Sequence, residues 1–214
     1  MKRAPMLCAA AVLLMGGLAG AAGATPVGPA PADIDQVVID QTGDGNTASV
    51  DQGGGQGDVV VDQTGSSNGA SVTQSGEGSG SATVAQQGSD NLASLAQSGG
   101  DNVAAITQTG SGNQAAIEQA ASLGPSNTAS LTQTGSQNTA SLTQSGSGNL
   151  ATLSQTGGGN SATQSQTGVG DTQSVTQVGA DDKASYTQIG ANLPNLAVVQ
   201  TGVGMNITIV QKGP

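Results

Sequence analysis

Two consecutive stretches between Asn127 and Gly148, NTASLTQTGSQ and NTASLTQSGSG, repeat one eleven-residue phrase with almost no change, and the rest of the chain varies it. With the glutamine as marker, the phrase recurs at Gln41, Gln52, Gln63, Gln74, Gln86, Gln97, Gln108, Gln119, Gln133, Gln144, Gln155, Gln166, Gln177, Gln188, Gln200 and Gln211. Of the fifteen gaps between these sixteen residues, twelve are eleven long, two are twelve and one is fourteen. Such regularity decides the architecture before local propensity is weighed. Each unit is one supersecondary element that can bury its apolar face only against its copies.

The phrase is Gln-x-Gly-x-x-Asn-x-Ala-x-x-x-Gln, with glycine two after the glutamine in fifteen of sixteen cases and Ala121 as the exception. Asn138, Ala140, Leu142 and Gln144 alternate with Thr139, Ser141 and Thr143, a period of two that reads as a β-strand with one apolar-centred face. The Gly-Ser remainder, such as Ser145 to Gly148, reads as a turn that needs φ > 0. Each unit is thus about seven residues of strand and about four of turn. The inward face begins with Asp35, Val37, Ile39 and Gln41 and continues through pairs such as Ala48 with Val50, Ala93 with Leu95 and Ala151 with Leu153. Departures cluster late. Gln164 and Gln173 stand at apolar positions, Asp171 and Asp182 replace asparagine, Tyr186 fills an aliphatic slot, and the spacing of Asn195 suggests a slipped register before Gln200. Pro125 and Pro194 fall in the longer gaps and are placed in turns, since proline in a central strand removes a ladder donor.

Strands this short must stack. Two units form a strand-turn-strand rung, and sixteen strands give eight rungs, about 38 Å tall at about 4.8 Å per rung. The expected fold is all-β, a two-sided β-solenoid with rungs stacked parallel and in register. The inward amides favour it over a barrel. An unpaired buried amide costs about 1–3 kcal/mol, while a made hydrogen bond returns about 0.5–1.5. Rows of glutamine and asparagine are therefore tolerable only where each amide bonds to its equivalent one rung away.

At the N-terminus, Lys2 and Arg3 precede an apolar run from Met6 to Leu18, and Ala22-Gly23-Ala24 offers small residues for cleavage. Residues 1–24 read as a signal peptide, residues 25–34 as a Pro/Ala-rich leader, and residues 35–214 as the repeat domain. Cys8 lies inside the signal, so the mature chain has no cysteine. Fourteen acidic residues then face only Lys183 and Lys212, a net charge of −12, and nucleic acid is a poor partner. Asp33, Asp35, Asp40, Asp44, Asp51, Asp58 and Asp62 crowd the first repeats. They read either as a solvated face or as charges that slow self-association until export.

Enzymatic function is not expected. The chain has no His, its Ser and Thr are repeat fillers without a neighbouring base, and no Lys-Ser/Thr follows Gly53-Gly54-Gly55 or Gly157-Gly158-Gly159. Asp181 and Asp182 stand isolated and the nonapeptide calcium repeat is absent, so neither a cofactor nor a metal is expected. An ice-binding or adhesive monomeric solenoid is the alternative, with Thr139, Ser141 and Thr143 facing outward beside Thr128, Ser130 and Thr132. Polar β-branched residues also simply suit a solvated strand face.

The unit from Gln41 to Gln52, or from Gln133 to Gln144, resembles the repeat of curlin, the subunit of bacterial curli amyloid fibres, over Asp35 to Gln211. The resemblance implies a secreted subunit that leaves through a dedicated outer-membrane pore and polymerises head-to-tail on the cell surface, as a fimbrium-like fibre serving adhesion and biofilm matrix. It also implies a nucleating partner subunit, with the regularity here pointing to the major subunit. The family's ladder positions map to the sixteen glutamines and to Asn46, Asn68, Asn91, Asn102, Asn113, Asn127, Asn138, Asn149 and Asn160. Unlike a typical curlin, the chain has almost no aromatic residues and a Pro/Ala leader.

Overall fold

The computed structural model describes residues 36–53, 57–121 and 124–213. The expected signal peptide, the leader and Asp35 lie outside the described residues. Along the chain run β1 (Val37–Thr42), β2 (Thr47–Gly53), β3 (Asp58–Ser66), β4 (Gly69–Ser75), β5 (Ser81–Ser89), β6 (Leu92–Ser98), β7 (Val103–Ser111) and β8 (Gln114–Ala121). They are followed by β9 (Thr128–Ser136), β10 (Thr139–Ser147), β11 (Leu150–Gly158), β12 (Ser161–Val169), β13 (Thr172–Ala180), β14 (Lys183–Ala191), β15 (Leu196–Val203) and β16 (Asn206–Lys212). Odd-numbered strands form one eight-stranded sheet and even-numbered strands the other, each in chain order. Every pairing is parallel. The fold is the two-sided β-solenoid of eight rungs.

Register follows the repeat. Gln133 pairs with Gln155 and Leu131 with Leu153 in one sheet, and Gln144 pairs with Gln166 in the other. Ala104, Ile106, Ala115, Ile117, Leu131, Leu142 and Leu153 are buried between the sheets, each large aliphatic contributing about 1.5–3 kcal/mol. In the end rungs, Val37, Ile39, Val50, Leu196, Val198, Ile207 and Ile209 are only half-buried against this core, because among the described residues no further rung covers their outer side. The slip suggested by Asn195 is absorbed before β15 begins. Leu196 pairs with Gln173 and Gln200 with Gln177, so the extra residue sits in the corner with Pro194.

The turns are shorter than the alternation suggests. β10 continues through Ser147, leaving Gly148 and Asn149 as the corner where a four-residue turn is expected from Ser145. The glycine two after each glutamine explains this, because it bends the chain while staying in the ladder. Gly135 has φ +114 and pairs with Gly157, φ +120. Two residues later the chain takes a left-handed turn, glycine at Gly112 and Gly159 but Ser67, Asp90, Gln137 and Asp181 at equivalent corners, with φ of 55–57 in these four.

Gly135 needs glycine twice over. Besides its positive φ, a Cβ there would lie 2.0 Å from the Gly157 carbonyl oxygen. Gly158 has only ordinary contacts, the nearest being Ser136 Oγ at 3.5 Å. Gly135→Ala therefore destabilises by more than the about 1–2 kcal/mol of left-handed strain alone, whereas Gly158→Ala leaves stability almost unchanged. Denaturant unfolding of the two variants checks the contrast.

Candidate functional site: the amide ladders

From Gln63 to Gln200 the glutamine at the end of each inward face is buried, so its amide must be satisfied within the stack. In the odd-numbered sheet the Nε2 of Gln41 donates to Oε1 of Gln63. The same bond then runs Gln63 to Gln86, Gln108, Gln133, Gln155, Gln177 and Gln200 at 2.7–2.9 Å. In the even-numbered sheet it runs Gln52 to Gln74, Gln97, Gln119, Gln144, Gln166, Gln188 and Gln211 at 2.7–3.2 Å. The second Nε2 hydrogen binds the main chain of the facing sheet, as in Gln144 to the Thr128 carbonyl and Gln155 to the Thr139 carbonyl, both 3.1 Å. These cross-links tie the two sheets together at every internal rung.

The asparagines stand at the corners and bond differently from the glutamines. On the corner before each even-numbered strand, the Oδ1 of Asn46, Asn68, Asn91, Asn113 and Asn138 accepts the backbone N–H of the asparagine one rung on, ending at Asn160. Each Nδ2 donates to a glycine carbonyl of the following rung, as in Asn138 to Gly157 at 3.1 Å. The Nδ2 of Asn68, Asn91, Asn113 and Asn138 also donates to the Oδ1 of the asparagine one rung back at 3.0–3.1 Å, so this corner carries an amide ladder beside its backbone bonds. The fixed spacing of glycine and asparagine within the phrase was the available signal, but alternation alone does not show it.

The other corner is less regular. Asn127 joins Asn149 through the Asn149 N–H, but Asn102 has a buried Oδ1 without a partner. It is the rung followed by the fourteen-residue gap. Gly57 and Gly80 occupy the two equivalent positions before it.

Where the sequence departs from the phrase, the structure leaves polar atoms unpaired. Gln164 is buried with neither amide atom bonded, Gln173 Oε1 is unpaired, and the Tyr186 hydroxyl is buried without a partner. Gln164 and Tyr186 are register neighbours. Asp171 and Asp182 take asparagine positions. Their Oδ1 atoms accept the N–H of Leu193 and of Met205, while both Oδ2 atoms are buried and unbonded where an asparagine would place its donating amide. Among the described residues no three metal-ligating side chains converge.

An unbroken, two-sheeted parallel solenoid stapled by amide ladders is the architecture of a structural repeat protein. A family model described as the curlin associated repeat matches residues 43–76, 79–110, 88–120 and 124–157, more than half of the chain. The chain belongs to the curlin family, whose role is structural. A search of curated proteins gives no match.

Two predictions follow from the unpaired groups. Burial raises the Tyr186 pKa above its ordinary 10.0, so the folded state holds that proton more tightly than the unfolded state. Its contribution is therefore complete below about pH 10 and is lost as pH rises through the raised folded value. Tyr186→Phe removes this alkaline loss and the orphan hydroxyl, and Gln164→Leu removes an orphan amide. Each stabilises by about 1–3 kcal/mol in denaturant titrations, run at neutral and alkaline pH for Tyr186→Phe. Separately, Asp171→Asn and Asp182→Asn each restore a corner donor and raise stability by about 1–3 kcal/mol, read as a higher unfolding midpoint at pH 7.

Proposed function

We propose that this chain is a secreted structural subunit that self-assembles head-to-tail into curli-like amyloid fibres on the bacterial surface, serving adhesion and biofilm matrix. A dedicated outer-membrane pore would export it and a nucleating subunit would start its growth. One observation carries this reading. Among the described residues, nothing pairs with the outer edges of β1 and β2 or of β15 and β16, and both end rungs keep the inward aliphatic-and-glutamine pattern of the rungs between them. Open parallel edges recruit further strands, and head-to-tail addition that does not close makes a filament. Family membership supports the same outcome. The aspartates of the first two rungs, Asp40, Asp44, Asp51, Asp58 and Asp62, are exposed, and they serve here as gatekeepers against early association.

A thioflavin T time course on the purified chain starting at Thr25, followed by fibre diffraction, tests the proposal. Sigmoidal growth accelerated by seeds, with a meridional reflection at about 4.7–4.8 Å, is the expected result. A chain that stays monomeric and β-rich for days overturns it in favour of an ice-binding or adhesive monomeric solenoid.

A further inference from the structure

Asn68-Gly69 is the one place in the chain where glycine follows asparagine. After the other corner asparagines of the even-numbered sheet stand Thr47, Leu92, Gln114, Thr139 and Ser161, all with side chains. The fold does not ask for glycine at this position. Gly69 opens β4 in plain register between Thr47 and Leu92, and it is not among the glycines with positive φ. A Cβ there would meet only side-chain atoms, Leu92 Cδ1 at 3.0 Å and Thr47 Oγ1 at 3.6 Å. Its bareness has a chemical consequence instead. Asparagine is a labile residue, and a following glycine leaves the backbone free to reach the conformation in which its nitrogen attacks the side chain.

We propose that Asn68-Gly69 is a self-modifying site, open in a chain whose first rungs have not closed and sealed once they have. In the open chain the Gly69 nitrogen bonds to Asn68 Cγ, the bond from Cγ to Nδ2 breaks, and ammonia leaves with the proton that Gly69 gives up. Water then opens the resulting succinimide at either carbonyl, to aspartate or to isoaspartate. In the closed stack every participant is held. Asn68 is fully buried. Its Nδ2 donates to Asn46 Oδ1 at 3.1 Å and to the Gly88 carbonyl at 3.0 Å, and its Oδ1 accepts the N–H and the Nδ2 of Asn91. The attacking nitrogen is committed too, since the Gly69 N–H donates to the Asn91 carbonyl at 2.8 Å. These bonds come from the rungs on either side, so the seal forms only when all three close.

Either product damages the corner. An aspartate sets a carboxylate oxygen against Asn46 Oδ1 and the Gly88 carbonyl, which now receive hydrogens from Nδ2. Asp182, at the same corner position further along, shows the outcome in its buried, unbonded Oδ2. Isoaspartate adds a carbon to the main chain and disturbs the register that places Ala70 and Val72 in the core. Asn68 thereby times folding, because a chain that stays open too long loses the amide it needs to close. The step needs no second copy and stands apart from self-assembly.

The full chain is held at one temperature and neutral pH, folded in buffer or unfolded in guanidinium chloride, and peptide mass mapping follows amide loss at each asparagine. In denaturant Asn68 should lose its amide several-fold faster than any other asparagine, and folding should slow that loss at least about tenfold, because only opened molecules react. Gly69→Ala, also in denaturant, should bring Asn68 down to the rate of the others, a readout that does not require the variant to fold. Loss spread evenly over the asparagines, or unchanged by Gly69→Ala, overturns the site. Equal loss in folded and unfolded chains overturns the seal. Asn68→Asp, which carries one of the two products, should unfold at a lower denaturant midpoint than the parent chain, and an equal or higher midpoint overturns the timing role.

Discussion

A primary amide buried between two sheets must find partners on both sides, and this requirement orders the whole molecule. Gln133 meets it by accepting from Gln108, donating to Gln155 and binding the Gln114 carbonyl of the facing sheet. Only a parallel, in-register stack offers the same amide at the same height in every rung. An antiparallel neighbour would reverse the phrase and set glutamine opposite alanine or glycine. The thin Ala/Leu core could have packed in several ways, but the amides leave one, which is how polar groups confer uniqueness on a weak core. The cost of an unmet amide, larger than the gain from a met one, makes the ladder a device for register more than for stability.

Glycine sets the shape of the rung. Its Cα–H approaches the glycine carbonyl of the next rung so closely that no side chain fits at Gly65, Gly88, Gly110, Gly135 or Gly157. The same glycine carbonyls accept the asparagine Nδ2 groups, as in Gly135 with Asn113 and Gly157 with Asn138. Glycine and asparagine are therefore two parts of one corner, and their spacing in the phrase follows from that bond. At Ala121 the glycine is missing, and there the chain inserts its longest gap.

Strand number, sheet assignment and register were legible in the sequence because glutamine marks every unit and alternation marks the inner face. Leu131 against Leu153 and Gln177 against Gln200 could be read directly. The ends of the strands were not legible, because Gly146 and Ser147 look like turn residues yet stay within β10. Nor did alternation reveal that the asparagines bond to backbone as well as to one another. The fate of Gln164 and Gln173 lay further out of reach. Whether an inward amide without a ladder neighbour finds a partner depends on the facing sheet, which a period of two along one strand does not describe.

The departures share a location, and that location has a physical meaning. Asp171, Gln173, Asp182 and Tyr186 fall in β13 and β14 or at the corners leading into them, with Gln164 in β12 beneath, so the unpaired atoms concentrate near one end of the stack. In a solenoid, stability is close to a sum of rung and nearest-neighbour terms, and a local deficit stays local. The glutamine ladders run through this region unbroken, stretched only to 3.2 Å between Gln166 and Gln188. Register therefore survives where corner bonding and core packing are weakest. The middle rungs, with paired glutamines and aliphatic cores, are the more cohesive part, while the late rungs keep the pattern that a following strand would have to read. A chain arranged this way protects the information in its ladder over the strength of any single rung.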